Sequence, residues 1–166
     1  MRPLFCLLAL AITLLAGDLS GRRAPGFSLV DSDFVQHDTQ DYRGKILLVE
    51  FMQTNCPHCG AFSNILQEVV TRYSGKVAVL AVVNPPDTTP TVKQYIAQHK
   101  LTYPLLFDCG QVAASYVKAQ SFDVPHLFVI DAQGMIQNDY GYSPFTRGIF
   151  EGRDLFNELD RMVKAK

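Results

Sequence analysis

Long apolar runs alternate with amphipathic stretches along this chain. Residues 46–52 and 77–83 are almost entirely hydrophobic, which is typical of strands covered on both faces of a parallel sheet. Residues 57–73 instead place apolar side chains at intervals of three and four, the spacing of one buried helix face. Further helices are predicted at residues 89–99, 111–118 and 152–164. The pattern predicts an α/β fold, with a central sheet flanked by helices.

Shorter segments predict the remaining strands. Residues 27–30 and 34–37 form an expected N-terminal β-hairpin across a polar turn, and residues 103–107 form a short strand. Residues 127–130 and 135–140 predict a second hairpin, because the intervening Asp131-Ala132-Gln133-Gly134 has the composition of a turn.

The sequence Cys56-Pro57-His58-Cys59 falls where the apolar strand at 46–52 ends and a helical pattern begins. Pro57 suits the first helical position, where its missing N–H leaves no bond unmade. Cys56 then stands ahead of the free N–H groups and the positive end of the helix dipole, which favours its thiolate. We expect Cys56 to be the attacking sulfur and Cys59, one turn later and facing inward, to close an intramolecular disulfide. An imidazole at His58 favours the reduced thiolate and thereby raises the reduction potential.

Glu50 interrupts the apolar run that leads to the dithiol. Val49 and Phe51 imply burial, and an unpaired buried carboxylate usually takes up a proton. We therefore expect Glu50 to be a proton store beside Cys59. The alternative is that strand alternation turns Glu50 towards solvent or a lysine.

The N-terminal segment predicts export. Arg2 precedes an apolar run at residues 3–16 that is shorter than the roughly 20 residues needed to span a bilayer. Residues 1–17 are interpreted as a signal peptide or N-terminal anchor, 18–23 as a linker and 24–166 as one domain. Cys6 belongs to the signal, so three thiols remain, and a C-x-x-C pair in an oxidising compartment favours thiol exchange. The expected location is the periplasm or cell envelope, with membrane contact only if the segment is uncleaved.

Three ordered motifs accompany the dithiol. They are Ala24-Pro25-Gly26-Phe27-Ser28-Leu29, Tyr42-Arg43-Gly44-Lys45, and Val124-Pro125 with Phe128-Val129-Ile130-Asp131 and Gly134. Together with the dithiol segment, they resemble thioredoxin-fold disulfide oxidoreductases. The scaffold is similar to the TlpA/ResA-like branch related to the AhpC/TSA class, and the Pro57-His58 dipeptide is similar to that of DsbA-type oxidants.

The resemblance implies a thioredoxin-like fold, with a central mixed β-sheet flanked by helices, an N-terminal β-hairpin and a β-α insertion. It also implies a cis Val124–Pro125 bond facing the dithiol, where the backbone of Val124 binds an extended substrate peptide. The implied partners are protein thiol or disulfide substrates and a redox partner protein. No cofactor is expected.

Other functions remain open from the residues alone. Cys56, Cys59 and His58, with His126 or Cys109, offer soft ligands for Cu(I) or zinc, although a structural zinc site needs four ligands.

A peroxidase is a further alternative. The AhpC/TSA resemblance implies a threonine three residues before the reactive cysteine of a peroxidase, whereas Thr54 stands two residues before Cys56. Cys109 is interpreted as a small semi-buried residue, with a third redox thiol or a dimer-linking cysteine as the alternatives. His37, His99 and His126 are interpreted as structural or solvated, and a position facing the dithiol stays open for His126, beside Pro125. The net charge of −1 and the lack of a basic patch argue against nucleic acid.

Overall fold

A computed structural model of the chain describes residues 19–117 and 123–165. The predicted signal with Cys6, and residues 118–122, lie outside the described residues. The strands are β1 Ser28–Val30, β2 Gln36–Asp38, β3 Ile46–Met52, β4 Val77–Val83, β5 Leu105–Phe107, β6 His126–Ile130 and β7 Ile136–Gly141. The helices are α1 Pro57–Arg72, α2 Thr89–His99, α3 Gln111–Tyr116, α4 Arg147–Phe150 and α5 Arg153–Lys164, with a 3-10 turn at Thr39–Tyr42.

The central sheet has the strand order β5-β4-β3-β6-β7. β3, β4 and β5 are parallel, β6 is antiparallel to β3, and β7 is antiparallel to β6. β1 and β2 form a separate two-stranded antiparallel sheet near the N-terminus. The predicted mixed sheet and N-terminal hairpin are therefore confirmed. The carboxyl ends of β3, β4, β5 and β7 all lie on the same edge of the central sheet.

The core has two layers, one on each face of the central sheet. All seven residues of β3 are buried, as expected for a strand covered on both sides. Leu48 and Met52 belong to the layer under α1, α2 and α5, whereas Val49 and Phe51 belong to the layer that contains Tyr116 of α3. Because side chains alternate along a strand, Glu50 shares the face of Leu48 and Met52 and points towards α1.

Several predicted boundaries differ from the structure. β5 begins at Leu105 and not at 103, and α3 ends at Tyr116 because Val117 has an extended backbone. The short helix α4 was not predicted, since four residues are too few to show a helical period. No helix within the described ranges is both long and apolar enough to cross a lipid bilayer.

The segment interpreted as a linker packs onto the domain from residue 19 onwards. The Leu19 side chain is buried in the layer around Tyr116. The Gly21 N–H donates to the Ile136 carbonyl at 2.7 Å, and Arg23 forms a β-bridge with Met135. The apolar side chain of Leu19 fills space in this layer, so these residues are part of the folded unit.

Candidate active site

The two cysteines of the C-x-x-C motif lie at the start of α1. Cys56 is the N-cap residue and Pro57 occupies the first turn, as predicted from the sequence. The Cys56 sulfur accepts a hydrogen bond from the Cys59 backbone N–H at 3.2 Å, so one free donor of the helix start points at it. Cys56 is half-buried, whereas Cys59 is 0 % exposed. A bulky disulfide can therefore approach Cys56 but not Cys59.

The loop before β6 meets the same sulfur from the other side. The Val124–Pro125 peptide bond is cis, as expected, and the Cys56 thiol donates to the Val124 carbonyl across 3.5 Å. Val124 also packs against the core layer that contains Cys59. The backbone of Val124 is thus in contact with the Cys56 sulfur.

Glu50 is buried, which excludes the solvent-facing alternative. Its side chain is 0 % exposed, and neither carboxylate oxygen has a hydrogen-bond partner among the described residues. Burial without compensation raises the pKa of this carboxyl well above its ordinary value. Burial also raises the pKa of the Cys59 thiol, and the nearby Glu50 charge raises it further. The acid and the inner thiol therefore interact electrostatically beneath the helix start.

His58 is exposed on the first turn of α1 and is held by a residue that sequence reasoning missed. Its imidazole stacks on the Tyr142 ring, with centroids 4.3 Å apart and planes inclined by 25°. Tyr142 in turn meets the edge of Phe150 in α4. The loop after β7 therefore fixes the imidazole beside the dithiol. No local sequence signal links positions 58 and 142, because the contact depends on where β7 ends.

The loop that leads into the dithiol is anchored by Asp87. The Thr54 backbone N–H donates to one Asp87 carboxylate oxygen at 3.0 Å, and the Thr54 hydroxyl contacts the other. The Thr54 hydroxyl is thus bonded to Asp87, whereas the peroxidase alternative would need a threonine hydroxyl that acts at the reactive cysteine. A groove of about 360 Å³ runs beside Cys56 and is lined by Tyr95 and His99 of α2. It offers polar contacts next to the accessible sulfur.

The remaining candidates are three histidines and Cys109, and each histidine bonds to a polar side chain. His37 bonds to Tyr42 and Asp31, and His99 bonds to Asn64, so both have the structural role that the sequence suggested. His126 begins β6 and pairs with Asp139 on β7. Cys109 is exposed, and not semi-buried as interpreted, and it lines a different groove, because it follows the end of β5 and precedes α3.

The alternative metal ligands are not assembled in the part of the chain that the structure describes. Within residues 19–117 and 123–165, no group of three or more His, Cys, Asp or Glu side chains is placed to hold a metal ion. Cys109 and Cys56 line separate grooves. The soft ligands that the sequence offers therefore do not form one described cluster.

Comparison with known proteins shows the family to which the chain is similar and several of its relatives. The sequence model of the AhpC/TSA family matches residues 20–139. The chain is 28% identical to the thioredoxin-like protein YneN of Bacillus subtilis over 124 residues, 74% of this chain and 71% of that protein. It is 28% identical to the thiol-disulfide oxidoreductase ResA of Geobacillus kaustophilus over 118 residues, 70% of this chain and 66% of that protein.

Solved structures show the thioredoxin fold. A thiol:disulfide interchange protein of the thioredoxin family from Chlorobium tepidum superposes with a TM-score of 0.67 at 23% identity, covering 81% of this chain and 96% of that one. A secreted disulfide oxidoreductase from Mycobacterium tuberculosis superposes with a TM-score of 0.64 at 18% identity, covering 78% and 95%. The fold predicted from the resemblance is therefore confirmed.

Proposed function

The chain belongs to the AhpC/TSA family and is an oxidoreductase, and we propose that it is an exported thiol–disulfide oxidoreductase acting on proteins. The observation that supports this most directly is the environment of Cys56. Its sulfur lies between the Cys59 N–H and the Val124 carbonyl, and it is the accessible member of the pair. An accessible thiol at a helix start, backed by a buried second thiol, is suited to disulfide exchange.

The first step joins enzyme and substrate. The Cys56 thiolate, stabilised by the Cys59 N–H and the N-terminus of α1, attacks one sulfur of a substrate disulfide. A new S–S bond forms between Cys56 and that sulfur while the substrate bond breaks. The other substrate sulfur leaves as a thiolate and takes a proton from solvent.

The second step closes the enzyme disulfide. The Cys59 thiol has a raised pKa and needs a base, and the ionised Glu50 carboxylate accepts its proton. The Cys59 thiolate then attacks the Cys56 sulfur, and the second substrate thiolate leaves. Two electrons have passed from the dithiol to the substrate, which gains two thiols. The same steps in reverse oxidise a substrate dithiol, and protonated Glu50 then returns its proton to Cys59.

Substrate binding in this proposal uses the backbone beside the dithiol. An extended peptide adds to the backbone of Val124, next to Pro125, by strand-type hydrogen bonds. His58, stacked on Tyr142, contributes a hydrogen-bonding group next to Cys56 and tunes the reduction potential. A second, redox-coupled protein restores the dithiol or the disulfide after each turnover.

Mixed-disulfide trapping tests the proposed chemistry. In a Cys109→Ser background, Cys59→Ser should accumulate a covalent adduct with oxidised insulin through Cys56, because the resolving thiol is missing. The adduct should disappear on addition of dithiothreitol. Cys56→Ser in the same background is the matched control and should form no adduct. Equal adduct formation by both variants would refute the assignment of Cys56 as the nucleophile.

Export is tested separately. The apolar run at residues 3–16 after Arg2 supports it, as does the similarity to a protein described as secreted. Residues 1–23 fused to an alkaline phosphatase lacking its own signal should give active enzyme outside the cytoplasm. A fusion with no exported activity, beside an active positive control, would contradict export without affecting the thiol chemistry.

A further inference from the structure

One row of paired residues runs along the dithiol edge of the molecule. Paired backbone positions connect Asp31 of the hairpin turn to β5, β4, β3, β6 and finally Gly141 of β7. The row is Asp31, Leu106, Val82, Phe51, His126 and Gly141. Its five steps of about 4.8 Å make it about 24 Å long. Phe51 lies near its middle and is followed, five residues later, by Cys56.

The large exposed hydrophobic side chains lie at the two ends of this row. Within residues 19–117 and 123–165 they are Val30, Phe34, Val35 and Phe145. The first three belong to the β1–β2 hairpin around Asp31, and Phe145 belongs to the loop that follows Gly141. Phe145 is 99 % exposed and Phe34 is 82 % exposed. The two loops, residues 30–35 and 142–146, are called here the flanking loops, since the dithiol lies between them.

The flanking loop at 142–146 is held in place beside the reactive cysteine. Tyr142 stacks on His58, and the Thr146 hydroxyl donates to the Gly141 carbonyl at 2.6 Å. The Ser143 N–H donates to the Thr146 hydroxyl oxygen at 2.9 Å. Phe145 is thus displayed by a bonded turn next to the active site, without packing into the core.

The hairpin loop is equally well bonded. Asp31 accepts from the Asp33 and Val35 N–H groups, and Asp33 pairs with Lys93 of α2 at 2.8 Å. Phe34 has a φ of 60°, a left-handed conformation that favours glycine or asparagine over an aromatic residue. The phenyl ring at this position therefore neither favours the local backbone conformation nor packs in the core.

A groove beside β1 of the hairpin reaches Asp87, which anchors the loop before Cys56. It has a volume of about 510 Å³ and an apolar lining that includes Leu29, Val83 and Phe107. Asp87 lines the same groove and accepts from the Thr54 N–H in the loop that carries Cys56. Apolar surface thus extends from β1 of the hairpin to the residue that anchors the Thr54 backbone.

We propose that the flanking loops are a docking surface for protein substrates that present apolar side chains on both sides of the reacting disulfide. The span of about 24 Å corresponds to about seven residues of extended chain. The occupant is therefore an extended, incompletely folded segment, because a folded protein buries such side chains. This inference rests on the proposed function and identifies the substrate class of that site.

The test compares a protein disulfide with a small one. Variants Phe145→Ser and Phe34→Asn should each lower kcat/KM for disulfide-scrambled ribonuclease A at least fivefold, mainly through KM, and Phe145→Leu should retain most of it. Exchange with hydroxyethyl disulfide, which is too small to reach the loops, reports on the dithiol alone and should change less than twofold. Gln133→Ser, at an exposed turn on the opposite edge, is the control and should match the wild type with both disulfides.

Three results would overturn the docking surface. The first is an unchanged protein-disulfide kcat/KM in both phenylalanine variants. The second is wild-type binding to phosphatidylglycerol vesicles that Phe145→Ser abolishes, which would assign the loops to a lipid surface. The third is a wild-type dimer that the variant dissociates. Failure of the wild type to react with either disulfide would instead refute the proposed function.

Discussion

Replacing Glu50 with glutamine should change how the stability of the reduced protein depends on pH. The wild-type carboxyl is fully buried, no hydrogen-bond partner contacts it among the described residues, and burial raises its pKa well above 4.5. Between the unfolded-state pKa and the higher folded-state pKa, the folded protein keeps a proton that the unfolded chain loses. In that window the free energy of unfolding falls as pH rises.

The size of the effect follows from one proton. A full difference of one bound proton changes the free energy of unfolding by about 1.4 kcal/mol per pH unit. Glutamine does not titrate, so the stability of Glu50→Gln relative to wild type should rise with this slope from about pH 5 until the folded-state pKa is reached. Two pH units within the window give about 2.8 kcal/mol. The cost of burying the amide adds an offset that does not depend on pH.

Urea unfolding of the reduced proteins, in steps of half a pH unit from 5 to 7.5, measures this slope. Groups shared by the two proteins cancel in the difference. Glu68→Gln, on the exposed face of α1, removes a carboxylate of the same type from a solvated position and should track the wild type. A difference between Glu50→Gln and wild type that stays constant across the range would refute the burial of a protonated acid at Glu50.

The same variant should slow the closing of the enzyme disulfide. Without a base near Cys59, ring closure should be slower by about 10²-fold near neutral pH, the lower end of typical general-base contributions. Alkylation of Cys56 should be unchanged, because its reactivity comes from the helix start. Single-turnover exchange across pH decides this point, and an unaltered rate profile would remove Glu50 from the mechanism.

Three further predictions concern the dithiol and its neighbours. His58→Pro should lower the reduction potential of the dithiol couple, as measured against glutathione, because the variant loses the imidazole beside Cys56. The expected change is about 30 mV or more, which corresponds to about 1.4 kcal/mol. Tyr142→Phe keeps the stacked ring and should leave the potential unchanged. Brief alkylation of the native reduced protein should label Cys56 and Cys109 and spare Cys59, which is 0 % exposed. Mass spectrometry of the peptides measures the labelling, and a Cys59 labelled before Cys56 would contradict the burial of Cys59. The reduced wild type should retain little Cu(I) or zinc against a mild chelator, and stoichiometric retention that Cys56→Ser abolishes would favour metal binding instead.

Local sequence signals predicted the parts of the site that depend on neighbouring residues. The proline after Cys56 and the periodic helix behind it placed the first cysteine at the N-cap, because capping depends on a few consecutive residues. The apolar run at 46–52 likewise predicted a strand buried on both faces. The proximity of Val124 to Cys56 came from the family resemblance, since 68 residues separate them and no local rule joins them.

Contacts between distant elements could not be predicted, because they depend on strand register. His126 stands opposite Gly141, and a register shift between Val129 and Ile130 accompanies the return of β7 along β6. That pairing puts Asp139 diagonally across from His126, within reach of its imidazole. A displacement of one residue would turn Asp139 to the other face of the sheet. The turn composition at 131–134 predicts a hairpin but does not determine this register.

The sequence pattern alone does not determine the face of β3 on which the Glu50 side chain lies. In a strand that is buried on one face only, a single carboxylate among apolar residues would be assigned to the solvent side. β3 has no solvent side, since every residue from Ile46 to Met52 is buried. Because side chains alternate along the strand, the position of the acid decides only which of the two core layers it enters. Glu50 lies on the same face as Leu48 and Met52, which pack in the layer of Cys59. The same carboxyl one position earlier or later would face Tyr116, far from the thiol chemistry, because that layer holds no cysteine among its described members.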